Sequence, residues 1–128
     1  MGDSTHDSGT GFVDLVGAGS PEAEGGSVRL ELDVDERHLN PAGTVHGGML
    51  ATLVDTAMGA AVRSTTEDQV PATSQLTVTY LRPGGPGRLV VTAEVRKRGQ
   101  DLTVCEAGVE QDGKDLVHAV ATFALLSR

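Results

Sequence analysis

The stretch from Met49 to Arg63 limits the possible folds of this chain more than any other part of its sequence. Apolar residues recur in it at helical spacing and form a wide face, and most of the other positions carry small side chains. The apolar positions are Met49, Leu50, Leu53, Val54, Ala57, Met58, Ala61 and Val62. Because so wide an apolar face needs cover on nearly every side, we predict a buried helix that the rest of the chain surrounds.

Five strand-like stretches accompany this helix. Residues 28–35 alternate strictly between apolar and polar side chains, which is typical of a half-buried strand. Four more stretches follow the helix, at 74–82, 88–98, 102–111 and 115–126. The short turns between them contain Gly, Pro or Asp and favour antiparallel hairpins. This order of elements predicts an α+β fold in which one antiparallel sheet wraps around one long helix.

The length of 128 residues corresponds to about one domain, and the sequence contains no internal repeat. Residues 1–10 are rich in Gly, Ser, Thr and Asp, and we expect them to form a flexible tail ahead of a single domain at 11–128. The lone Cys105 has no second cysteine to pair with, and no export signal is visible at the N-terminus. These two features predict a cytoplasmic location.

The charge balance, the apolar runs and the histidine spacing of the chain disfavour several classes of partner. The chain has 10 basic and 18 acidic residues, and its formal net charge is −8. Binding to nucleic acid is disfavoured, because phosphate neutralisation needs a basic face. No apolar run approaches the ~20 residues that span a bilayer, so we expect no membrane partner. His6, His38 and His118 are scattered without the spacing of metal ligands, and we predict no metal site and no cofactor.

A glycine pair opens the predicted helix. The preceding segment, residues 38–46, is rich in residues that break regular structure, and Gly47 and Gly48 follow it. The first backbone N–H groups of a helix have no partner within it, and the positive end of the helix dipole lies behind them. Glycine also lets a carbonyl group approach closely. The pattern suits an oxyanion site, whereas a simple turn is the alternative for a glycine pair considered alone.

An acidic residue, Asp55, lies in the middle of the apolar helix. A buried, unpaired carboxylate is costly, so Asp55 either faces solvent beside Thr52 and Thr56 or serves a task. Eight residues separate it from Gly47, which corresponds to about 12 Å along one helix. A single carbonyl group cannot contact both residues. If both serve one reaction, one of them must come from a second copy of the chain, with the two helices antiparallel and two sites per two-fold pair.

The string N-P-A-G-T-V-H-G-G-x-L-x-x-L-x-D at residues 40–55 resembles the signature of the hotdog-fold acyl-CoA thioesterases of the phenylacetate (PaaI-like) type. The strings V-T-Y-L-R-P at 78–83 and R-K-R-G-Q-D-L at 96–102 are similar to that family as well. The resemblance covers roughly residues 12–128. It implies a hotdog fold, hydrolysis of an acyl-CoA without a cofactor, and a homo-oligomer that is a dimer or a dimer of dimers.

The resemblance also implies roles for individual residues. Asp55 would act as a general base on water or as a nucleophile on the thioester carbonyl, and the Gly47 N–H would polarise that carbonyl. Asn40 and His46 would help to position the thioester or the water. Thr73 lies where the family places a small hydroxyl residue near the attacking water. The residues alone leave simpler roles open, with Asn40 holding the loop and His46 capping it.

Half of the basic residues fall within one short part of the chain. The five are Arg82, Arg88, Arg96, Lys97 and Arg98. The phosphates of coenzyme A need a local positive patch on an acidic protein, and these residues are our candidates for it. A solvated strand edge is the alternative for each of them. Strand alternation predicts Arg96 and Arg98 on one face and Lys97 on the other.

We expect the predicted helix to supply the lining of an acyl pocket. Its apolar side chains suit a medium-sized or aromatic acyl group, and the candidates are Met49, Leu50, Leu53, Val54 and Met58.

An alternative function is a hotdog module that binds acyl-CoA without hydrolysing it, and such a module would not need Asp55. Cys105 is expected in the core rather than as a nucleophile, and Ser74 lacks the nucleophile-elbow motif.

Overall fold

Two α-helices, six strands and one short 3₁₀ turn make up the part of the chain that the computed structural model describes, residues 11–18 and 21–127. In chain order they are α1 (Phe12–Val16), β1 (Glu22–Glu24), β2 (Ser27–Val34), the 3₁₀ turn (Glu36–His38), α2 (Gly47–Arg63), β3 (Gln69–Tyr80), β4 (Gly87–Arg98), β5 (Leu102–Gln111) and β6 (Lys114–Ser127). The tail predicted at 1–10 lies outside the described residues.

The strands form one antiparallel sheet in the order β1-β2-β4-β5-β6-β3. Strands β2 to β6 all pack against α2, which lies across the inner face of the sheet. The predicted α+β class is confirmed, and a sheet wrapped around one long helix is the hotdog arrangement that the resemblance implies. Neither helix of the described chain is long and apolar enough to cross a membrane.

The core follows the two periodicities of the sequence. Every second residue of β2 is buried: Val28, Leu30, Leu32 and Val34. On α2 all eight apolar positions predicted from the sequence are buried, and Leu53, Val54, Ala57, Met58, Ala61 and Val62 are fully inaccessible. Burial of a leucine or valine side chain stabilises the folded state by about 1.5–3 kcal/mol. The helix is therefore held mainly by packing against the sheet.

One element boundary differs clearly from the prediction. The helix begins at Gly47, at the predicted glycine pair, whereas β3 begins at Gln69 rather than at 74. Pro71 disfavours a strand at 69–73 in the sequence, because proline has no N–H to donate to a neighbouring strand. The residue is accommodated since β3 is the outermost strand and pairs with β6 alone.

The sheet covers one side of α2 only in part. The positions on that side are half-buried and mostly small: Ala51, Thr52, Asp55, Thr56, Gly59 and Ala60. The neighbouring edge of the sheet is β3, which has 12 residues and leaves one row of backbone groups without a strand partner in the described chain. Long open edges of this kind are usually blocked or covered in natural proteins.

Candidate active site

The loop before α2 is held by one asparagine. The Oδ1 atom of Asn40 accepts hydrogen bonds from the backbone N–H groups of Ala42 at 3.0 Å and Thr44 at 3.2 Å. Its Nδ2 donates to the Thr44 hydroxyl at 2.9 Å. The backbone N–H of Asn40 also donates to the Thr44 carbonyl. Both polar atoms of the side chain are thus engaged within the loop, which matches the loop-holding role left open by the sequence.

His46 caps α2. Its Nδ1 accepts a hydrogen bond from the Gly48 N–H at 3.0 Å, and its carbonyl accepts from the N–H groups of Met49 and Leu50. Because Nδ1 is the acceptor, the proton of the neutral ring is on Nε2. The Gly47 N–H differs from its neighbours, since no group of the described chain accepts a hydrogen bond from it. A donor without an acceptor therefore stands at the positive end of the helix dipole.

The first turn of α2 is joined to the end of β3 by a tyrosine. The Tyr80 hydroxyl donates to the Gly47 carbonyl at 2.8 Å. Its ring lies against the glycine, and a Cβ atom added at Gly47 would meet the Tyr80 ring at 3.4 Å. In the sequence, Tyr80 stands out only as part of the V-T-Y-L-R-P string, and nothing there predicts this contact. The contact joins residues 33 positions apart, which no local pattern reveals.

Asp55 faces β3 and meets a hydroxyl there. The Thr73 Oγ1 donates to the Asp55 Oδ1 at 2.6 Å, which is the short distance expected for a hydroxyl bound to a charged carboxylate. The other carboxylate oxygen, Oδ2, accepts no hydrogen bond from the described residues. The side chain is half-buried. One oxygen is held and the other is left open to a ligand or a water molecule.

A bulge in β3 directs Thr73 to the helix. Thr73 is paired with Phe123 and Gln75 with Thr122, so Ser74 is an extra residue between the two pairs. Phe123 is buried on the side of the sheet that faces α2, and Thr73 shares that side. The Ser74 hydroxyl contacts the Thr122 hydroxyl at 2.7 Å. The bulge therefore changes the face on which the residues before it lie.

The remaining candidate nucleophile is buried. Cys105 is fully inaccessible in β5, and burial raises the pKa of its thiol to about 11. The expectation that Cys105 belongs to the core is confirmed. No group of three or more His, Cys, Asp or Glu side chains within the described residues could hold a metal ion.

The sequence model of the thioesterase superfamily matches residues 42–118, a range that begins in the loop ahead of Gly47 and includes Asp55 and Thr73. The chain belongs to this superfamily.

Known proteins similar to this chain extend the likeness. Human acyl-coenzyme A thioesterase 13 is 38% identical over 78 residues, which cover 60% of this chain and 56% of the human protein. The structure of a conserved protein from Pseudomonas aeruginosa has a TM-score of 0.87 and 30% identity, covering 91% of this chain and 94% of that chain. A hypothetical thioesterase from Streptococcus pneumoniae, solved with coenzyme A, has a TM-score of 0.79 and 26% identity, covering 85% of this chain and 86% of that chain. This chain spans 59%, 69% and 56% of the lengths of the first curated relatives.

The structure does not gather the five basic residues of this superfamily member into one patch. Arg88 binds the carboxylates of Glu31 and Asp33 near the start of β4. The hydrogen bond that Arg88 donates to Asp33, together with the charge of that carboxylate, raises the pKa of the Arg88 guanidinium. Lys97 lies nine residues further along the same strand, about 30 Å away. Arg88 and Lys97 therefore cannot contact the same phosphate group within one chain.

The predicted alternation at the end of β4 is wrong. A bulge interrupts the register between Val95 and Lys97, so Arg96 is an extra residue. Arg96 reaches the carboxylates of Glu94 and Glu106. The hydrogen bond with His118 is the main reason that the pKa of the Glu106 carboxyl is lowered, and the charge of Arg96 lowers it further.

Arg98 points elsewhere. It donates to the Gln69 side chain at 3.0 Å and to the Thr65 hydroxyl at 3.3 Å, just beyond the C-terminal end of α2. Arg96 and Arg98 are therefore not on one face. Arg82 donates to the Asp115 carbonyl at 2.8 Å.

Fewer residues of α2 line a pocket than the sequence predicts. Leu50, Leu53, Val54 and Met58 are at most 3% exposed and belong to the closed core, so their assignment to an acyl pocket is wrong. A wide apolar helical face predicts burial without distinguishing a core from a binding cavity. Met49 alone among the five candidates lines a groove, which lies between α1 and the first turns of α2.

Proposed function

We propose that the protein is a thioester hydrolase that cleaves an acyl-coenzyme A. The observation that carries the proposal is a pair of groups on α2 without a hydrogen-bond partner in the described chain, the Gly47 N–H and the Asp55 Oδ2. The Thr73 hydroxyl holds the same carboxylate through Oδ1. Membership of the thioesterase superfamily supports the reaction class. The human relative named as an acyl-coenzyme A thioesterase supports the substrate class.

The proposed reaction uses two residues of the candidate site, Gly47 and Asp55. The thioester carbonyl oxygen accepts a hydrogen bond from the Gly47 N–H, and the helix dipole stabilises the negative charge that develops on that oxygen. Asp55 takes a proton from a water molecule, whose oxygen attacks the carbonyl carbon. The C–S bond then breaks, and the thiolate of coenzyme A receives the proton from Asp55. The products are a carboxylic acid and the free thiol. Direct attack by the carboxylate is the other route open to Asp55.

The two groups belong to different copies of the chain in this proposal. They are about 12 Å apart on one helix, so one thioester cannot reach both. Two antiparallel α2 helices that cross near Ala51, midway between Gly47 and Asp55, would bring each glycine to the other copy's carboxylate. The small, half-buried side of α2 and the open edge of β3 support this close contact. We therefore propose a homodimer, alone or within a dimer of dimers, with two sites.

The same crossing suggests where the phosphates of coenzyme A bind. In a helix pair that crosses at Ala51, Arg63 of one copy lies about 12 Å beyond Gly47 of the other copy. It is then in front of the N-terminal end of the other copy's α2. Arg98 lies beside Thr65 at that end of α2, and Lys97 precedes it. No side-chain partner of Arg63 or Lys97 is found within the described chain. We propose these three bases as phosphate contacts, ahead of Arg82, Arg88 and Arg96.

Hydrolysis of acyl-CoA substrates by the Asp55→Asn variant tests the proposal. Release of free thiol is followed with a colorimetric reagent on butyryl-, decanoyl- and phenylacetyl-CoA. We expect turnover to fall about 1,000-fold, because the amide cannot accept the proton. Asp68→Asn is the matched control, since Asp68 is exposed just ahead of β3 and outside the site. Unchanged turnover in Asp55→Asn would refute the mechanism. Binding of these substrates by the wild type without thiol release would identify a binding module instead.

A further inference from the structure

A groove with apolar walls runs from α1 to the start of α2. Its volume is about 510 Å³, within the range of small-molecule sites. The apolar walls consist of Phe12, Leu15, Val16, Leu39 and Met49. The groove also reaches the cap of α2, where its lining includes His46 and Gly48.

Hydrogen bonds to its backbone fix the wall formed by α1, in addition to the packing of Val13 and Val16 against the core. His38 is buried, and its Nδ1 accepts from the Asp35 N–H at 2.9 Å. The proton of the neutral ring is therefore on Nε2, which donates to the Val16 carbonyl at 2.7 Å. Arg37 donates to the Leu15 carbonyl at 3.3 Å. These two bonds tie the C-terminal end of α1 to the 3₁₀ turn.

Two apolar side chains of α1 remain exposed although the helix is tied down. Phe12 and Leu15 are 62% and 69% exposed, whereas Val13 and Val16 are half-buried. Neighbouring exposed apolar side chains along a concave surface are typical of a binding site rather than of a finished core. An apolar group placed in the groove would remove them from water.

The position of the groove indicates which apolar group it takes. His46 and Gly48 line it and flank Gly47, whose N–H is the proposed carbonyl donor. An acyl group attached to a carbonyl at Gly47 would therefore lie beside the groove. No carboxylate side chain lines this cavity in the described chain, so nothing repels the carboxylate product from it.

We propose that this groove is the acyl site and that Leu15 and Phe12 set the preference for apolar acyl groups. The inference rests on the proposed thioesterase function. It adds that the acyl group is the part of the substrate by which the protein distinguishes one substrate from another. Leu15 acts here as a specificity residue, because it contacts the acyl group and not the reacting atoms.

Substrates with acyl groups of different length distinguish a specificity role of Leu15 from a general structural role. We expect Leu15→Ala to lower kcat/KM for decanoyl- and phenylacetyl-CoA about 10-fold, chiefly through KM, and Leu15→Asp to lower it about 100-fold. Butyryl-CoA, which reaches less far into the groove, should change less than about 2-fold. Leu102→Ala is the matched control, since Leu102 is a leucine of 52% exposure at the start of β5, outside the groove.

The outcomes distinguish this inference from the proposed function. Equal losses for butyryl- and decanoyl-CoA, or no loss for either, would overturn the acyl site, and equal losses together with dissociation of the oligomer would assign α1 to an interface. If the wild type hydrolyses none of the substrates, the proposed function fails. Calorimetric binding of S-decyl-CoA, a thioether that cannot be hydrolysed, then decides the inference separately. Weaker binding to Leu15→Asp than to the wild type supports it, and equal binding overturns it.

Discussion

At the scale of single residues, one hydroxyl orients the candidate base. The Thr73 Oγ1 donates to one oxygen of Asp55 at 2.6 Å and leaves Oδ2 open. A hydrogen bond to one carboxylate oxygen restricts the rotation of the carboxylate. Thr73 therefore holds Asp55 in the orientation in which Oδ2 can take a proton from water.

Removing this hydroxyl should lower turnover and leave substrate binding largely intact. We expect Thr73→Ala to reduce kcat about 10-fold, since a hydrogen bond to a charged group contributes on the order of 1.5–3 kcal/mol. Thr73→Ser should retain most of the activity, because it keeps the donor. Thr77→Ala, on the same strand and without contact to Asp55, is the control. Steady-state kinetics on butyryl-CoA gives the split between kcat and KM, and a loss confined to KM would contradict the orienting role.

The face of β3 on which Thr73 lies could not be predicted from the alternation of residues in the sequence. The half-buried Leu76 and Val78 pack against the core, and continued alternation from them places Ser74 on that face and Thr73 on the other. The bulge at Ser74 reverses this assignment. A bulge follows from the pairing of two distant strands, so it leaves no mark in the local pattern. The family resemblance places Thr73 near the water, which alternation does not.

At the scale of elements, the start of α2 concentrates the polar features of the site. The Asn40 loop leads into it, His46 caps it, and Tyr80 holds its first carbonyl. The sequence predicts the helix and its glycine start because both depend on neighbouring residues in the chain. The alternation of β2 is predictable for the same reason. Tyr80 escapes prediction because its contact depends on the fold bringing the end of β3 to Gly47.

Proline at position 47 would delete the candidate donor and keep the helix. Proline is well tolerated at the first position of a helix, and the ψ of 133° at His46 suits a residue that precedes proline. We expect Gly47→Pro to lower kcat/KM about 100- to 1,000-fold through loss of one oxyanion donor. Gly47→Ala keeps the N–H and adds only a Cβ 3.4 Å from the Tyr80 ring. It is the matched control, and we expect it to stay within about 10-fold of the wild type.

Circular dichroism of Gly47→Pro should show an unchanged helical signal. Equal kinetics for the proline and alanine variants would show that the N–H takes no part in the reaction.

At the scale of the whole molecule, the proposed site needs residues from two chains. The separation of about 12 Å between Gly47 and Asp55 is set by the rise of a continuous helix, so no movement of side chains closes it. In one chain the outer edge of β3 stays uncovered, and the small side of α2 is covered only in part. Periodicity predicts a surrounded helix, but it does not say which surface is covered by the same chain and which by another. The fold is therefore largely predictable from the sequence, and the assembly is not.

Two inactive variants should restore each other if the site lies between copies. Asp55→Asn and Gly47→Pro chains are co-expressed with different affinity tags, and the mixed dimer is isolated by two successive purifications. The mixed dimer contains one site with an intact glycine from the first chain and an intact aspartate from the second, and one site that lacks both. We expect about half of the wild-type turnover, since two-fold symmetry gives two sites per dimer. A doubly tagged wild-type dimer controls for the purification. Because each chain lacks one group, a site formed within a single chain predicts activity no higher than that of the separate variants.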